Sequence, residues 1–469
     1  MNELFVTPND VMGDDDSASI QNAVDAVVKS GARKVVIPRR NQRTGEDKWI
    51  ISRSVRLPSD FVMVLDNCFM QMADDVVSGF FVSDNLFTER ARRLDMRMRN
   101  IHIIGIGAPV LDGGRPTELN EETQAAMGVP VRLNTPIFFI NVENFTVENV
   151  HIHHQRYWGM RFEFCARGRI SNIFFDICRD RRNQDGINLR NGCHDILIEN
   201  VSGQTGDDMI ALSAIDSDGV GGFYETHSVL VDGHDWDIHD VTIRNISGCA
   251  ITHPLVALRP ASGARIYNIH MENLKDRAPT RHAYKDDEPR YAVVHLGNRI
   301  YGKELPSHGD LSDITVRDVY TTYSTEAVLV HGGVKNVLVS GVHASGECRA
   351  ILSVIGDNWG DDVYGVTLEN VTVDSVIYEC TKDDGVVFDF SYMADGDFVK
   401  GLTLDRANIK GTKSLAVVHE KCGEFDLKLG LVSLPEGADG IESTDQAIKI
   451  KRNERNLPPF KSPVQRDDI

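Results

Sequence analysis

The chain has 469 residues, of which 41% are hydrophobic and 25% charged, and its formal net charge is −19. This composition is that of a folded globular protein and excludes wholesale disorder. The negative charge argues against a general nucleic-acid binder or an anionic-membrane binder, because both functions need a positive surface.

The N-terminal segment predicts a helix that covers one end of the fold. Asp and Ser residues at 14–19 can cap a helix, and Gly31 can end it. Between them, apolar side chains recur at helical spacing, at Ile20, Val24, Val27 and Val28. Such an amphipathic helix can shield the unpaired strand edges at the end of a sheet. We therefore predict a capping helix within an N-terminal cap of about residues 1–60.

A short template then recurs along most of the chain: a turn residue followed by alternating apolar positions. Its ten copies begin at Asn100, Asn144, Asn172, Asp195, Asp240, Asn268, Asp313, Asn336, Gly365 and Gly401. A second set of short apolar segments lies between them, at 158–162, 186–189, 209–212, 255–258, 327–330 and 350–353. Strands this short bury an inner face only when successive coils stack at about 4.8 Å. Asn suits the turns because it tolerates left-handed backbone and can bond to Asn of the next coil.

This pattern predicts an all-β fold, a single-stranded right-handed parallel β-helix with an N-terminal capping helix, rather than a sandwich or propeller. One domain is expected over residues 1–450, followed by a charged tail at 451–469. The polar segments 112–136 and 274–290 interrupt the repeat, and we predict long loops there.

The compartment is predicted from targeting signals and cysteine use. The sequence has no basic and apolar leader, no apolar run long enough to span a membrane, and eight scattered cysteines. We therefore expect a cytoplasmic protein with reduced, buried thiols, or a secreted one if a leader has been removed.

Three aspartates form the strongest candidate for chemistry. Asp185 precedes the segment 186–189, and the pair Asp207 and Asp208 precedes the equivalent segment 209–212, with Asp208 23 residues after Asp185. One coil separates them, so their carboxyl groups should stack and raise one pKa enough to retain a proton near neutral pH. An acid beside a base is what cleavage of a glycosidic bond requires. The alternative interpretation is that these aspartates only accept hydrogen bonds from turn backbone.

These segments resemble glycoside hydrolase family 28, the polygalacturonase-like family of the pectin-lyase-like β-helix superfamily. Its members carry Asn-Thr-Asp-Gly and, one coil later, Gly-Asp-Asp. Here residues 183–186 read Asn-Gln-Asp-Gly and residues 206–208 read Gly-Asp-Asp. The resemblance implies that Asp207 is the general acid and that Asp185 and Asp208 jointly activate water, with inversion. It implies neither a metal nor a cofactor.

Two further signatures of the family match less well. For its Gly-His-Gly histidine the best placed residue is His227, and His234 and His239 compete for the role. Its Arg-Ile-Lys, which holds a substrate carboxylate, corresponds to residues 257–259, where only Arg259 is a cation. Arg259 is therefore predicted either to bind substrate or to snorkel as a structural side chain.

Other candidate substrate-binding residues flank the aspartates. Asn183 and Arg182 belong to the first motif segment, and Tyr157 and Trp158 lie one coil earlier. The two aromatic residues are predicted either to stack on a sugar or to pack in the core.

The sequence thus predicts a polygalacturonase-like glycoside hydrolase that acts on galacturonic-acid-containing or related plant or bacterial oligosaccharides. Two alternatives stay open: another β-helix carbohydrate-active enzyme (a polysaccharide lyase, epimerase or fructotransferase) and a noncatalytic glycan-binding solenoid. The expected partner is an oligosaccharide or polysaccharide, with neither nucleic acid nor membrane. The aspartates favour an enzyme, because a pure binder needs no acid and base one coil apart.

Overall fold

The computed structural model describes residues 5–86, 88–117, 119, 123, 126, 128, 131–177, 183–215, 235–251, 253–261, 263–278, 292–297, 307–354, 365–393, 396–418, 422–438, 440–443 and 450–452. In these residues it contains the helix α1 (Asp16–Ser30) and short 3-10 helices at Glu89–Arg92, Leu94–Met96 and Val131–Asn134. All other regular structure in the described residues is β-strand.

The strands are numbered in chain order. The first nine are β1 (Phe5–Val6), β2 (Lys34–Pro38), β3 (Trp49–Ile51), β4 (Val55–Leu57), β5 (Phe61–Asp66), β6 (Phe69–Met72), β7 (Phe81–Ser83), β8 (Met98–Ile106) and β9 (Val110–Asp112). The central ones are β10 (Ile137–Ile140), β11 (Val142–His153), β12 (Met160–Glu163), β13 (Ala166–Asp176), β14 (Ile187–Arg190), β15 (His194–Thr205), β16 (Ile210–Ile215), β17 (Ile238–Ala250), β18 (Val256–Ala261), β19 (Ile266–Asp276) and β20 (Val294–Leu296). The last twelve are β21 (Leu311–Thr321), β22 (Glu326–Val330), β23 (Gly333–Gly346), β24 (Ala350–Val354), β25 (Thr367–Asp374), β26 (Val376–Cys380), β27 (Val386–Phe390), β28 (Phe398–Lys410), β29 (Ser414–Val418), β30 (Glu424–Ser433), β31 (Ile441–Ser443) and β32 (Ile450–Arg452).

Two long sheets run the length of the fold. The site sheet consists of β4, β7, β10, β12, β14, β16, β18, β20, β22, β24, β27, β29 and β31, each paired with the strand one coil away. The large sheet contains the remaining strands. The central coils pair in parallel in both sheets and keep their register from one coil to the next. The predicted right-handed parallel β-helix is confirmed.

The two sets of sequence repeats occupy different sheets. The template copies fall in the large sheet and the shorter segments fall in the site sheet. Within a site-sheet strand such as β14, Ile187 and Leu189 belong to the hydrophobic core, so Asn188 and Arg190 lie on the outer face. The outer face of the site sheet therefore carries the polar side chains.

Helix α1 covers the first coils, as predicted. The Asp15 carboxylate caps it by accepting a bond from the Ala18 N–H at 2.6 Å, and Gly31 ends it in the left-handed region at φ 76°. The helix packs against β1 to β4. Val28, predicted to face the core, is 54% exposed, because the buried stripe passes through Val24 and Val27.

Two strands extend slightly beyond the predicted boundaries. The loop expected from residue 274 starts later, because β19 continues to Asp276 and pairs with β17 and β21. Residues 450–452 form β32 against β30, so the first two residues of the expected tail extend the sheet. Residues 279–291 and 453–469 lie outside the described part of the chain.

The described cysteines agree with the prediction of reduced, buried thiols, since all seven are buried and unbonded to one another. The eighth, Cys178, lies outside the described residues. In the part of the chain that the structure covers, no helix is long and apolar enough to cross a membrane.

Asparagine side chains link successive coils along the large sheet. The Asn200 amide donates to Asn172 at 3.0 Å, Asn245 to Asn200 at 3.0 Å, and Asn273 to Asn245 at 2.9 Å. These residues have φ values of 55–58°, in the left-handed region that Asn tolerates. The predicted asparagine ladder is confirmed.

Replacing Asn245 by Ala should destabilise the fold by about 2–4 kcal/mol. The change removes two ladder bonds, each worth about 1 kcal/mol, and places a Cβ-bearing residue without a local side-chain bond in the left-handed region, which costs about 1–2 kcal/mol. Asn245→Gly should cost less, because glycine accepts this backbone freely. Urea unfolding measures the difference, with the exposed Asn408→Ala in β28 as control. Equal losses for Ala and Gly would contradict the left-handed part of this account.

Candidate active site

The three aspartates meet at the outer face of the site sheet. Asp185 lies two residues before β14, and Asp208 lies two residues before β16, the strand that pairs with β14 through Ile187 and Ile210. One carboxylate oxygen from each of Asp185, Asp207 and Asp208 lies within 4.8 Å of the others. Asp185 and Asp208 are buried, whereas the Asp207 side chain is 15% exposed. We call this cluster the aspartate triad.

Backbone and side-chain hydrogen bonds of two glutamines link the coils that carry the triad. The Gln184 carbonyl accepts from the N–H groups of Gly206 and Asp207 at 3.1 and 3.3 Å. The Gln184 amide donates to the Gln155 carbonyl, and the Gln155 amide donates to the Asp185 carbonyl, both at 2.8 Å. Gln184, the departure from the family's Asn-Thr-Asp-Gly, thus links the triad to the preceding coil.

Arg259, in β18, is a partner of the triad. Its Nη2 donates to Asp208 Oδ1 at 2.8 Å and its Nη1 pairs with Asp208 Oδ2. The side chain is 3% exposed, so its charged end does not snorkel to water. The snorkelling interpretation is therefore wrong, and the role of Arg259 in binding a substrate carboxylate stays a prediction.

Burial and mutual repulsion shift the pKa values of two triad members. The pKa of Asp185 lies well above its usual range, first because the group is buried and then because Asp207 and Asp208 are close. Burial also raises the pKa of Asp208, although the Arg259 charge opposes that shift. The predicted elevated pKa is therefore found, and Asp185 holds a proton at pH values where an exposed aspartate has lost it.

His253 belongs to the site, and the sequence reasoning missed it. Its Nδ1 lies 3.3 Å from Asp207 Oδ1, and its side chain is 26% exposed. It stands three residues before β18, the position equivalent to that of Asp207 before β16. The sequence places His253 before a short apolar segment, as it does the aspartates, but the distance along the chain hides this. Residues 216–237, 22 in number, join β16 to β17, whereas only three residues (191–193) join β14 to β15. Counting one coil from Asp208 therefore does not lead to His253.

The histidines proposed from sequence do not supply this contact in the described structure. His227 and His234 lie outside the described residues. His239 is on the large sheet, where its ring stacks between His194 and Tyr267 at 5.0 Å from each, and its Nδ1 is 2.7 Å from Asp240. The prediction that His239 competes for the site is wrong.

The aromatic residues before the triad are covered. Tyr157 and Trp158 are each 3% exposed and pack with Leu119 and Val131. The Arg190 guanidinium lies 5.5 Å from the centre of the Trp158 ring. Among the described residues, this packing agrees with the core interpretation, because both side chains are almost fully covered.

The two remaining candidates belong to the first motif segment. Asn183 has a left-handed backbone, with φ 59°, directly before Gln184. Arg182 lies outside the described residues.

The triad also offers three oxygens that a divalent cation could bind. Calcium takes about 6–8 oxygen ligands. Arg259 already occupies both oxygens of Asp208. The ion pair with Arg259 therefore suits acid–base chemistry better than it suits cation binding.

Comparison with known proteins identifies the segment that contains the triad. Residues 88–235 match the model of the family described as "Glycosyl hydrolases family 28". The predicted family resemblance is confirmed. The matched segment includes the whole triad and ends before His253 and Arg259. No curated protein matches the chain significantly.

Solved structures share the fold at low sequence identity. They include the mannuronan C-5 epimerase AlgE6 A-module of Azotobacter vinelandii, with a TM-score of 0.59, 12% identity, and coverage of 92% of this chain and 100% of that one. A tailspike protein of E. coli bacteriophage HK620 in complex with pentasaccharide has a TM-score of 0.55, 13% identity, and coverage of 92% and 78%. A hyperthermoactive exopolygalacturonase from Thermotoga maritima has a TM-score of 0.50, 14% identity, and coverage of 94% and 92%. These likenesses show the β-helix fold, and the family 28 match adds that the protein is carbohydrate-active.

Proposed function

We propose that this protein is a glycoside hydrolase that cleaves its substrate at the aspartate triad by acid–base hydrolysis. The observation that carries the proposal is the meeting of three carboxyl groups within 4.8 Å on adjacent coils. Because the pKa of one buried member is raised well above its usual range, an acid and a base coexist in this cluster.

The family resemblance assigns the roles within the triad. Asp207, the most exposed member, donates the proton to the leaving oxygen, and Asp208 activates water while Arg259 orients its carboxylate. Asp185, which holds the proton at rest, supports Asp208 once that proton has moved to Asp207. Activity should therefore fall as the pH rises through the raised pKa, because the proton that the acid needs is then lost.

Inversion of the anomeric centre is part of the proposal and rests on the family resemblance. Inverting carboxyl pairs are commonly about 6.5–9.5 Å apart, to leave room for water. The triad brings one oxygen of each group within 4.8 Å, which is closer than that spacing. Proton NMR of the first product anomer decides between inversion and retention.

A substrate that contains a uronic acid is part of the proposal and rests on the family resemblance. The overall charge of −19 does not exclude an acidic sugar, because the charges beside the site act on the substrate more strongly than the total does.

The test of the proposal is a panel of oligosaccharides and polysaccharides, with the release of reducing sugar as the readout. Hydrolysis of at least one glycan, without an unsaturated product, is the expected result. A UV-absorbing unsaturated product would identify a lyase instead. Binding without cleavage across the panel would favour a noncatalytic glycan-binding solenoid.

Replacing His253 by Leu should lower kcat about 10- to 100-fold, because the imidazole contacts the proposed acid Asp207 at 3.3 Å. His253→Asn, which keeps a nitrogen near the position of Nδ1, should retain more activity than the leucine variant. Steady-state kinetics on the best glycan of the panel checks this, with His239→Leu on the large sheet as control. Wild-type kcat in His253→Leu would remove this residue from the mechanism.

A further inference from the structure

A buried glutamine of the preceding coil reaches the triad. Gln155 lies five residues before β12, and its side chain is fully buried. The side-chain amide of Gln155 donates to the Asp185 carbonyl at 2.8 Å, and the Gln155 backbone carbonyl accepts a bond from the Gln184 amide at 2.8 Å. We call this reciprocal pair of bonds the glutamine clamp. The proposed mechanism gives the clamp no role.

One bond of the clamp acts on the peptide group between Asp185 and Gly186. Pairing of the coils already satisfies this peptide, because its carbonyl accepts from the Gly159 N–H at 2.9 Å and its N–H donates to the Asp208 carbonyl at 2.9 Å. Gln155 adds a second bond to the same carbonyl, which has two lone pairs. Glycine leaves the backbone freer to rotate than any other residue does. The second bond therefore restrains Asp185 where the chain beside it is most easily turned.

The clamp connects three successive coils. Gln184, which bonds the Gln155 carbonyl through its side chain, accepts bonds from the N–H groups of Gly206 and Asp207 through its own carbonyl, at 3.1 and 3.3 Å. The coil of Gln155 is thus tied to the coil of Asp185, and that coil is tied to the coil of Asp207. The distance between the two carboxyl groups depends on these bonds.

Stability alone does not explain the Gln155 side chain. Its Oε1 is buried and has no hydrogen-bond partner among the described residues. An unpaired buried acceptor costs stability and offsets part of what the amide bond to Asp185 contributes. The net contribution of Gln155 to stability is therefore small, and its main effect is on the geometry of Asp185.

Asn85 provides a matched comparison outside the site. Its side chain is also fully buried, its amide donates to the Ile140 carbonyl at 2.8 Å, and its Oδ1 has no partner in the described part of the chain. Ile140 ends β10, two strands before β14 in the site sheet. Asn85 therefore makes the same kind of bond as Gln155 without contacting the triad.

We propose that Gln155 is a positioning residue, which fixes the Asp185 carboxyl group against Asp207 and Asp208 by holding the Asp185 carbonyl. This deepens the proposed function and rests on it, because in that mechanism the Asp185 proton moves to Asp207. Proton transfer requires the two carboxyl groups to lie within hydrogen-bond reach. A displacement of about 1 Å in such a site can lower the rate about 100-fold.

Kinetics of Gln155→Met test the proposal. Methionine keeps the length of the side chain and removes the donor, so kcat should fall about tenfold while KM stays unchanged, because Gln155 does not contact the substrate in this role. Asn85→Leu should leave kcat within about twofold at a similar Tm. Gln184→Met removes the other bond of the clamp and should lower kcat in the same way, which keeps the test available where the first variant does not fold. Wild-type kcat in the folded clamp variants, or an equal loss in Asn85→Leu, would overturn the proposal.

The titration of Asp185 measures the same effect without turnover. The pKa of this carboxyl group is raised by burial and then by Asp207 and Asp208, while Arg259 opposes the shift. Loss of the clamp admits water and lets the carboxyl groups move apart. The Asp185 signal, followed by NMR in protein with ¹³C-labelled aspartate and assigned with Asp185→Asn, should therefore shift its midpoint to lower pH in Gln155→Met. The pH above which activity is lost should shift in the same direction.

The titration also separates this proposal from the proposed function. Asn85→Leu should titrate like the wild-type protein, and an unchanged Asp185 midpoint in Gln155→Met would refute the positioning role. A shifted midpoint without cleavage of any glycan by the wild-type protein would refute hydrolysis and leave the positioning of Asp185 standing. Cleavage by the wild-type protein with unchanged kcat and midpoint in Gln155→Met would refute the positioning role alone.

Discussion

Replacing Asp207 by Asn is expected to lower kcat about a thousandfold or more while the fold stays intact. A general acid contributes about 10²- to 10⁴-fold to such a reaction, and asparagine cannot donate the proton. The substituted amide would still offer an Oδ1 to the Asp208 N–H, which now donates to Asp207 Oδ1 at 2.9 Å. The release of reducing sugar from the best glycan measures the loss, and thermal unfolding verifies the fold.

A matched substitution separates catalysis from the general effect of removing an acid. Asp195→Asn changes an aspartate of the large sheet whose side chain is 52% exposed and which contacts His194 rather than the triad. It should leave kcat within about twofold, because a surface change of this kind alters little. Turnover by Asp207→Asn at the wild-type rate would refute hydrolysis at the triad.

Replacing Asp208 by Asn should destabilise the protein by about 3–5 kcal/mol, because it leaves a buried guanidinium without its carboxylate. Arg259 is 2% exposed and both of its Nη atoms bond Asp208. Arg259→Met should also destabilise the protein, because it leaves the buried Asp208 carboxylate without its guanidinium. The double variant should lose less than the sum of the two, since neither charge is then left unpaired. Urea unfolding at pH 7 gives the three values.

The neighbouring Asp185→Asn should behave in the opposite way. The folded-state pKa of Asp185 is raised, so the folded protein binds this proton more tightly than the unfolded chain, whose aspartate pKa is about 3.9. Its contribution to stability is present below about pH 4 and is lost as the pH rises toward the folded-state pKa. Asparagine does not ionise, so the Asp185→Asn protein does not lose stability in this way as the pH rises. The variant should therefore gain stability over wild type between about pH 4 and pH 7, and a constant difference across that range would contradict the raised pKa.

The coils of the fold follow from local patterns in the sequence. Alternating apolar residues, short segment length and Asn or Asp at the turns predicted both sheets, because each coil packs on the next in the same way. The same patterns predicted Asp185, Asp207 and Asp208 as a cluster. Equal positions before equivalent strands must stack when coils pair in register.

Spacing along the chain does not predict which residues stack on adjacent coils where one coil carries an insertion. His253 lies 45 residues after Asp208, and nothing local in the sequence shows that 216–237 is an insertion between β16 and β17. Only the strand pairing of β16 with β18 brings His253 to Asp207.

Charge partners are likewise decided by tertiary structure. The sequence by itself determined a parallel β-helix, its capping helix and a stacked aspartate triad, because these depend on periodicity and on neighbours one coil away. It left open whether Arg259 snorkels to water, and whether Tyr157 and Trp158 are exposed. Those outcomes depend on which groups share a buried volume: Arg259 takes Asp208 because a buried charge needs an opposite charge, and the two aromatic rings are covered by Leu119 and Val131.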